Sequence, residues 1–374
     1  MEDQSAISAT ELKKRLDANK IEFMLDLRNE DEFKSWRIEG RTDFPQLNIA
    51  QEDFVGEEER HKDKFPKDKQ ILVVCAHGDS STYTAELLKG FGLNATSLSG
   101  GMDAWSDFYE THEVSKDPAI YQIFRTARGC MSHVIVSGGS ALVIDAVRHV
   151  DQFISLASSL NVKITHVLDT HLHADHISGG PDLAKKTGAV YHLHPADAEK
   201  ASISYVPLVD GKTIPFGNNS IDVIHSPGHT PGSTSFLLNG KYLFTGDIIM
   251  KTSIGRPDLG GQSDAWSSFL YYTLFKRYQA LDDGIVILPS HASSLREQDG
   301  SGIVMTTIGQ ARKERDLFQI RDNAAFAKYV RENLLENPSR YQDIRMVNLG
   351  LLDPDEAKRK ELEIGKNICG MVKK

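Results

Sequence analysis

The sequence predicts two α/β units in tandem and a helical tail. Three observations carry this. Over residues 1–112, short apolar runs alternate with helical patterns, as in a mostly parallel sheet flanked by helices. Over 120–300, strands come first in Gly-punctuated hairpins and then alternate with helices, which suits an αββα sandwich. The stretch 301–374 is charged and mostly helical, with breaks at Asn337-Pro338 and Asp353-Pro354, and reads as a C-terminal extension of the second unit.

The elements follow in order. Residues 8–20 read as a helix with Thr10 as N-cap. Residues 22–27 (EFMLDL) and 70–75 (QILVVC) read as buried strands, 81–92 as a helix, and 95–98 as a short strand before Gly100-Gly101. A linker is expected around 111–119, where apolar periodicity is absent. Residues 132–136 and 140–144 resemble two strands joined by Gly138-Gly139. A helix over 150–160 and strands over 164–169 and 285–288 complete the pattern.

The 374 residues suffice for two cores. A formal net charge of -9 argues against nucleic acid or an anionic membrane as the main partner, although a local cluster can still bind a small anion. No run of about 18 apolar residues predicts a membrane span. The polar N-terminus has no apolar signal core, and only Cys75, Cys130 and Cys369 are present, so a reducing cytoplasm is expected.

Cys75 ends an apolar strand and opens the loop Ala76-His77-Gly78-Asp79-Ser80 before a helix. Backbone N–H groups of such a loop, with the helix N-terminus, can converge on a sulfur and favour its thiolate. A buried strand-end cysteine is the ordinary alternative. The order Leu25-Asp26-Leu27-Arg28, Glu32-Phe33, Ile38-Glu39-Gly40, CAHGDSS and LSGGMDAW resembles the rhodaneses across about 5–110. The resemblance implies that Cys75 carries sulfane sulfur. Asp79 stands where many rhodanese loops carry a basic residue, so thiosulfate turnover, or sulfur carriage alone, is left open.

The segment Thr170-His171-Leu172-His173-Ala174-Asp175-His176 places four metal-ligand side chains within six residues, just after a strand. His229, Asp247 and His291 each follow where a strand runs into a turn. For any single histidine a core or surface hydrogen bond is the ordinary explanation, and it serves for His133, His149, His192, His194 and His225. The ordered set instead resembles the metallo-β-lactamase superfamily across about 120–300. Two chemistries remain open. All seven ligands can hold two zinc ions that activate water. Alternatively His171, His229 and Asp247 form a two-histidine, one-carboxylate triad for one Fe(II), with His173, Asp175, His176 and His291 as orienting partners.

Residues 248–259 contain Gly255-Arg256-Pro257-Asp258, which resembles the GR-x-D segment of persulfide dioxygenases. That resemblance implies that Arg256 orients an anionic thiol persulfide and Asp258 supports the arginine. It also implies oxidation of sulfane sulfur by O₂ to sulfite, coupled through the rhodanese domain to transfer among sulfite, thiosulfate and thiol. The rhodanese comes first here, whereas fused bacterial proteins usually place it last. Ser290-His291-Ala292 replaces the His-Asp-Tyr of simpler dioxygenases, so the thiol (glutathione, coenzyme A, bacillithiol or cysteine) stays open. A homo-oligomer is expected. The rival readings are a glyoxalase II-type thioester hydrolase with a rhodanese appendage, and a persulfide carrier or sensor. Cys130 reads as core, and Cys369 as an ordinary tail cysteine or a second redox thiol.

Overall fold

A computed structural model describes residues 6–259, 261, 263–334, 340–365 and 367–371. It separates into two compact units. One runs up to Glu110 and takes in Arg125–Gly129 and Ser294–Arg296. The other comprises Thr111–Phe124, Cys130–Ser293 and the chain from Glu297 on.

The first unit is a five-stranded parallel sheet of β1 (Ala6–Ile7), β2 (Phe23–Asp26), β3 (Gln46–Asn48), β4 (Ile71–Val74) and β5 (Ala95–Leu98), in the order β1-β5-β4-β2-β3. β4 (ILVV) is buried throughout, as a central parallel strand covered on both faces must be. The first helix is Ala9–Asp17, and its cap is Ser8 rather than Thr10: Ser8 Oγ accepts from Glu11 N–H at 3.2 Å. Either hydroxyl has the right chemistry, and the extended backbone at Ser8 decides which one caps. The helix after Cys75 is Asp79–Gly90.

The second unit holds two packed sheets. One contains β6 (Tyr109–Lys116), β7 (Ala119–Arg125), β8 (Cys130–Ser137), β9 (Ser140–Ile144), β10 (Lys163–Leu168), β11 (Val190–Leu193) and β12 (Val206–Pro207), in the order β12-β11-β10-β9-β8-β7-β6. The other contains β13 (Thr213–Phe216), β14 (Asn219–His225), β15 (Thr234–Leu238), β16 (Tyr242–Gly246), β17 (Val286–Pro289) and β18 (Thr306–Thr307), ordered as in the chain. The predicted mixed α/β architecture, a parallel sheet followed by an αββα sandwich with C-terminal helices, is thus the one observed. The expected linker at 111–119 is instead mostly β6, the edge of its sheet. An edge strand needs one ladder neighbour and one half-covered face, so its polar sequence YETHEVSK carries no apolar alternation.

Period-two alternation builds the sandwich. Leu142 and Ile144 of β9, Ile221 and Val223 of β14, and Phe236 and Leu238 of β15 meet in one cluster between the sheets. The opposite face of the second sheet buries Leu243 and Ile287 against Leu270, Leu274, Phe318, Phe326 and Val330. Each such side chain contributes about 1.5–3 kcal/mol of burial. The tail forms helices Ile308–Glu314, Asn323–Glu332, Arg340–Asn348 and Glu356–Leu362. The Asp353-Pro354 break falls between the last two, and the Asn337-Pro338 break lies outside the described residues. No described helix is long and apolar enough to cross a membrane.

Candidate metal centre and cysteine loop

In the first unit Cys75 follows β4, and the next helix begins four residues later. Cys75 Sγ accepts from the backbone N–H of Gly78 at 3.0 Å and of Ser81 at 3.3 Å, and it lies 3.3 Å from Ser81 Oγ. Loop and helix N-terminus therefore converge on one sulfur. Gly78 has φ +102°, and a Cβ there would stand 2.7 Å from Gly100 N. The SGGMDAW segment braces the loop: Met102 N–H donates to Cys75 O at 2.9 Å and Asp103 N–H to Ala76 O at 3.1 Å. Among the other loop residues, His77 pairs with Asp103 at 2.9 Å, Asp79 is exposed, and Ala76 and Ser80 are half-buried.

In the second unit the buried ligand side chains lie where strands end. His171, His173, Asp175 and His176 follow β10, His229 lies between β14 and β15, Asp247 follows β16 and His291 follows β17. The structure divides them into three groups.

The first group is His171, His229 and Asp247. Asp247 Oδ2 lies 3.4 Å from His229 Nε2 and 3.9 Å from His171 Nε2. These three atoms are buried without a hydrogen-bond partner, which marks a place for a cation. The far side of each ring is fixed. Thr170 donates its hydroxyl to Asp145 Oδ2 at 2.9 Å, so its oxygen accepts from His171 Nδ1–H at 2.9 Å. His229 Nδ1–H donates to Arg256 O at 2.8 Å. Both rings thereby present Nε2 to the same spot. Burial lowers the pKa of His171 and His229 and favours the neutral imidazole that ligates metal.

The second group is Asp175, His176 and His291 with Cys130. Asp175 Oδ2 lies 2.9 Å from His291 Nε2, 3.2 Å from His176 Nδ1 and 3.7 Å from Cys130 Sγ. Burial opposes ionisation of Asp175, but His291 and His176 hold its carboxyl well below the usual range. Burial likewise opposes the thiolate of Cys130, yet His176 and His291 bring its pKa down to about 6.

The third group is His173 with Asp145 and Asp169. His173 Nε2 faces Asp145 Oδ1 at 3.1 Å, its Nδ1 is buried without a hydrogen-bond partner, and its ring centroid lies 4.2 Å from that of His171. Arg256 is buried, and its guanidinium is held by Asp258 through Nε–Oδ1 and Nη2–Oδ2 bonds of 2.7 Å each.

Several residues that shape this centre were invisible to motif reading. Asp197 accepts from Leu172 N–H at 2.9 Å, Thr230 Oγ1–H at 2.6 Å and Gly232 N–H at 2.7 Å, so one carboxylate ties the His171 loop to the His229 loop. Asn348, on a tail helix, donates to the carbonyls of His173 at 2.9 Å and His176 at 3.0 Å. Glu363 accepts from Ile177 N–H at 2.9 Å. Cys369 is fully buried, and its carbonyl accepts from Arg256 N–H at 2.9 Å. Buried Asp, Asn and Glu at single positions give no pattern along a chain. Cys130 shows a faint signal, as a cysteine opening a strand of the metal unit.

This fold and site define a metallo-β-lactamase superfamily protein with a rhodanese-like domain before it. The family model described as the metallo-beta-lactamase superfamily matches residues 125–291, and that of the rhodanese-like domain matches 8–108. Each model matches less than half of the chain, and together they place a rhodanese-like domain before a metallo-β-lactamase domain. Mouse "Persulfide dioxygenase ETHE1, mitochondrial" is 29% identical over 163 residues, covering 42% of this chain and 58% of that protein. "Hydroxyacylglutathione hydrolase" of Fuscovulum blasticum is 36% identical over 137 residues, covering 36% of this chain and 53% of that protein. The chain thus spans less than two thirds of either relative. The crystal structure of ETHE1 from Myxococcus xanthus matches with TM-score 0.54 and 25% identity, covering 62% of this chain and 99% of that one.

Proposed function

We propose that the second unit is a persulfide dioxygenase with one Fe(II) at His171, His229 and Asp247, and that the first unit passes sulfane sulfur through Cys75. The observation that carries this reading is the triad itself: His171 Nε2, His229 Nε2 and Asp247 Oδ2 are buried around one spot without hydrogen-bond partners. Two neutral imidazoles and one carboxylate are the donor set of non-haem iron oxygenases. Iron(II) held there would bind and activate O₂, and the four electrons that reduce O₂ would come from the sulfane sulfur as it is oxidised to sulfite.

The remaining work falls to the chain. Thr170 and the Arg256 carbonyl keep both imidazoles as Nδ1–H tautomers, so their orientation does not change when a ligand binds. The Arg256 guanidinium, fixed by Asp258, would pair with an anionic thiol persulfide. Burial of all three ligands keeps bulk water from competing. In the first unit, the N–H groups of Gly78 and Ser81 would stabilise a thiolate or terminal persulfide on Cys75.

The identity with the mouse persulfide dioxygenase and the Gly255–Asp258 segment favour this substrate. Iron content and persulfide-dependent O₂ uptake test it, with His229→Ala expected to lose both. A folded His229→Ala protein with unchanged uptake would falsify the assignment. The hydrolase relative and the retained Asp175–His176–His291 group support a second reading, a zinc thioester hydrolase. That reading predicts O₂-independent cleavage of S-lactoylglutathione.

A further inference from the structure

The C-terminal extension returns to the metal centre through residues 367–371. We infer that this strap positions the triad, with Asn367 and the main chain of Cys369 as the positioning groups. One path runs through Arg256 to His229, and a second through Asp175 and His291 to Asp247. The role rests on a metal held by His171, His229 and Asp247, and not on the reaction proposed there.

The first path is main-chain pairing. Gly370 forms an antiparallel bridge with Gly255. Cys369 O accepts from Arg256 N–H, and Met371 N–H donates to Ile254 O, each at 2.9 Å. Arg256 is the residue whose carbonyl accepts from His229 Nδ1–H at 2.8 Å. Its N–H is thus tied to the strap and its C=O to a metal ligand. A ligating histidine is oriented by the partner of its other ring nitrogen. Displacing the strap therefore displaces the acceptor that turns His229 Nε2 to the metal.

The second path begins at the half-buried Asn367 side chain. Its Nδ2–H donates to Asp175 Oδ2 at 2.5 Å, and its Oδ1 accepts from Cys369 N–H at 2.8 Å. Only the NH₂ end can donate to a carboxylate, so both ends of the amide are used in one orientation. Asp175 Oδ2 lies 2.9 Å from His291 Nε2, and His291 Nδ1–H donates to Asp247 Oδ1 at 2.6 Å. The strap itself is packed and not loose. Ile368 N–H donates to the Tyr341 hydroxyl at 3.2 Å, and Cys369 is buried in a cluster with Met250, Leu259 and Tyr341. A Cβ at Gly370 would stand 2.7 Å from Ser253 Oγ and 3.2 Å from Met250 Sδ. Ser253 is in turn held by Arg315, whose Nη1–H donates to its carbonyl at 2.9 Å.

The probe is Co(II) added to the metal-free full chain, with affinity read by chelator competition and ligand geometry by visible d–d absorption. The ion to follow is the one lost in His229→Ala. Asn367→Ala should bind that ion about 10–100-fold more weakly and shift its bands. Gly370→Val, whose side chain must push the strap off Ser253 and Met250, should do the same. Denaturant midpoints of the metal-free variants are measured alongside. Lower midpoints with wild-type bands and affinity would make the strap a structural cover only and overturn the role. Two variants indistinguishable from the wild type would overturn it as well. A Co(II) ion unaffected by His229→Ala would overturn the triad itself, a failure distinct from that of the strap. Neither readout depends on O₂ or persulfide.

Discussion

His229 donates its Nδ1–H to the main-chain carbonyl of Arg256 at 2.8 Å, so the residue proposed to meet substrate also sets the orientation of a proposed metal ligand. The approach leaves no room for a side chain at Gly255, where a Cβ would stand 2.4 Å from Asp247 O and 2.8 Å from His229 Nδ1. Gly255→Ala is therefore expected to weaken iron binding by roughly 10–100-fold. Iron retained after dialysis against a graded chelator measures this, and wild-type retention would show that the packing is not needed.

Asp197 makes the same kind of link between loops. Asp197→Asn cannot accept from three donors in the same arrangement, because one oxygen becomes an NH₂ facing N–H groups. A loss of about 1–3 kcal/mol in unfolding free energy is expected, together with weaker iron binding. Denaturant titration with and without iron separates the two effects. An Asn variant matching the wild type in both would remove Asp197 from the account.

Much of the centre was legible because its chemistry is local. His171, His173, Asp175 and His176 share one loop, and few structures other than a metal site gather four such residues there. From the chain alone the division among them stayed open between two zinc ions on seven ligands and a triad with four orienting partners. His173 turns to Asp145 because that carboxylate lies 28 positions back on the neighbouring strand end, a contact only the β9–β10 register creates. Cys130 read as core and is buried; the bridge that sets it beside His291 was not readable from the chain. The parallel sheet and the sandwich were readable from apolar runs, whereas β6 was not, because an edge strand carries too little apolar signal.

The cysteine loop should act independently of iron. Cys75→Ser is expected to abolish sulfur transfer to a thiol or sulfite while sparing O₂ uptake. Gly78→Ala should also impair transfer, since its Cβ would collide with Gly100 and displace an N–H that cradles the sulfur. Radiolabelled sulfane sulfur on Cys75, followed by mass spectrometry, reads both variants. Full labelling of Gly78→Ala would show that the cradle is dispensable.

Acid stability has a specific contributor in His133. Burial outweighs nearby Asp145 and lowers its pKa from 6.5 to about 4, and Gln122 Nε2–H donates to its Nε2 at 3.2 Å. Above about pH 6.5 neither state binds the proton; below it the unfolded chain does and the folded chain does not, so stability falls as pH drops from 6.5 toward 4. The full loss is on the order of 3 kcal/mol. His133→Leu should flatten this part of the stability profile, as read by denaturant midpoints across that window. An unchanged slope would place the acid sensitivity elsewhere.

The central claim meets its most direct test in metal analysis joined to oxygen uptake on a thiol persulfide. One iron per chain, with persulfide-dependent O₂ consumption that disappears in His229→Ala, is the predicted result. Iron-loaded, folded protein that consumes no O₂ with glutathione, coenzyme A, bacillithiol or cysteine persulfide, yet hydrolyses S-lactoylglutathione with zinc, would contradict it.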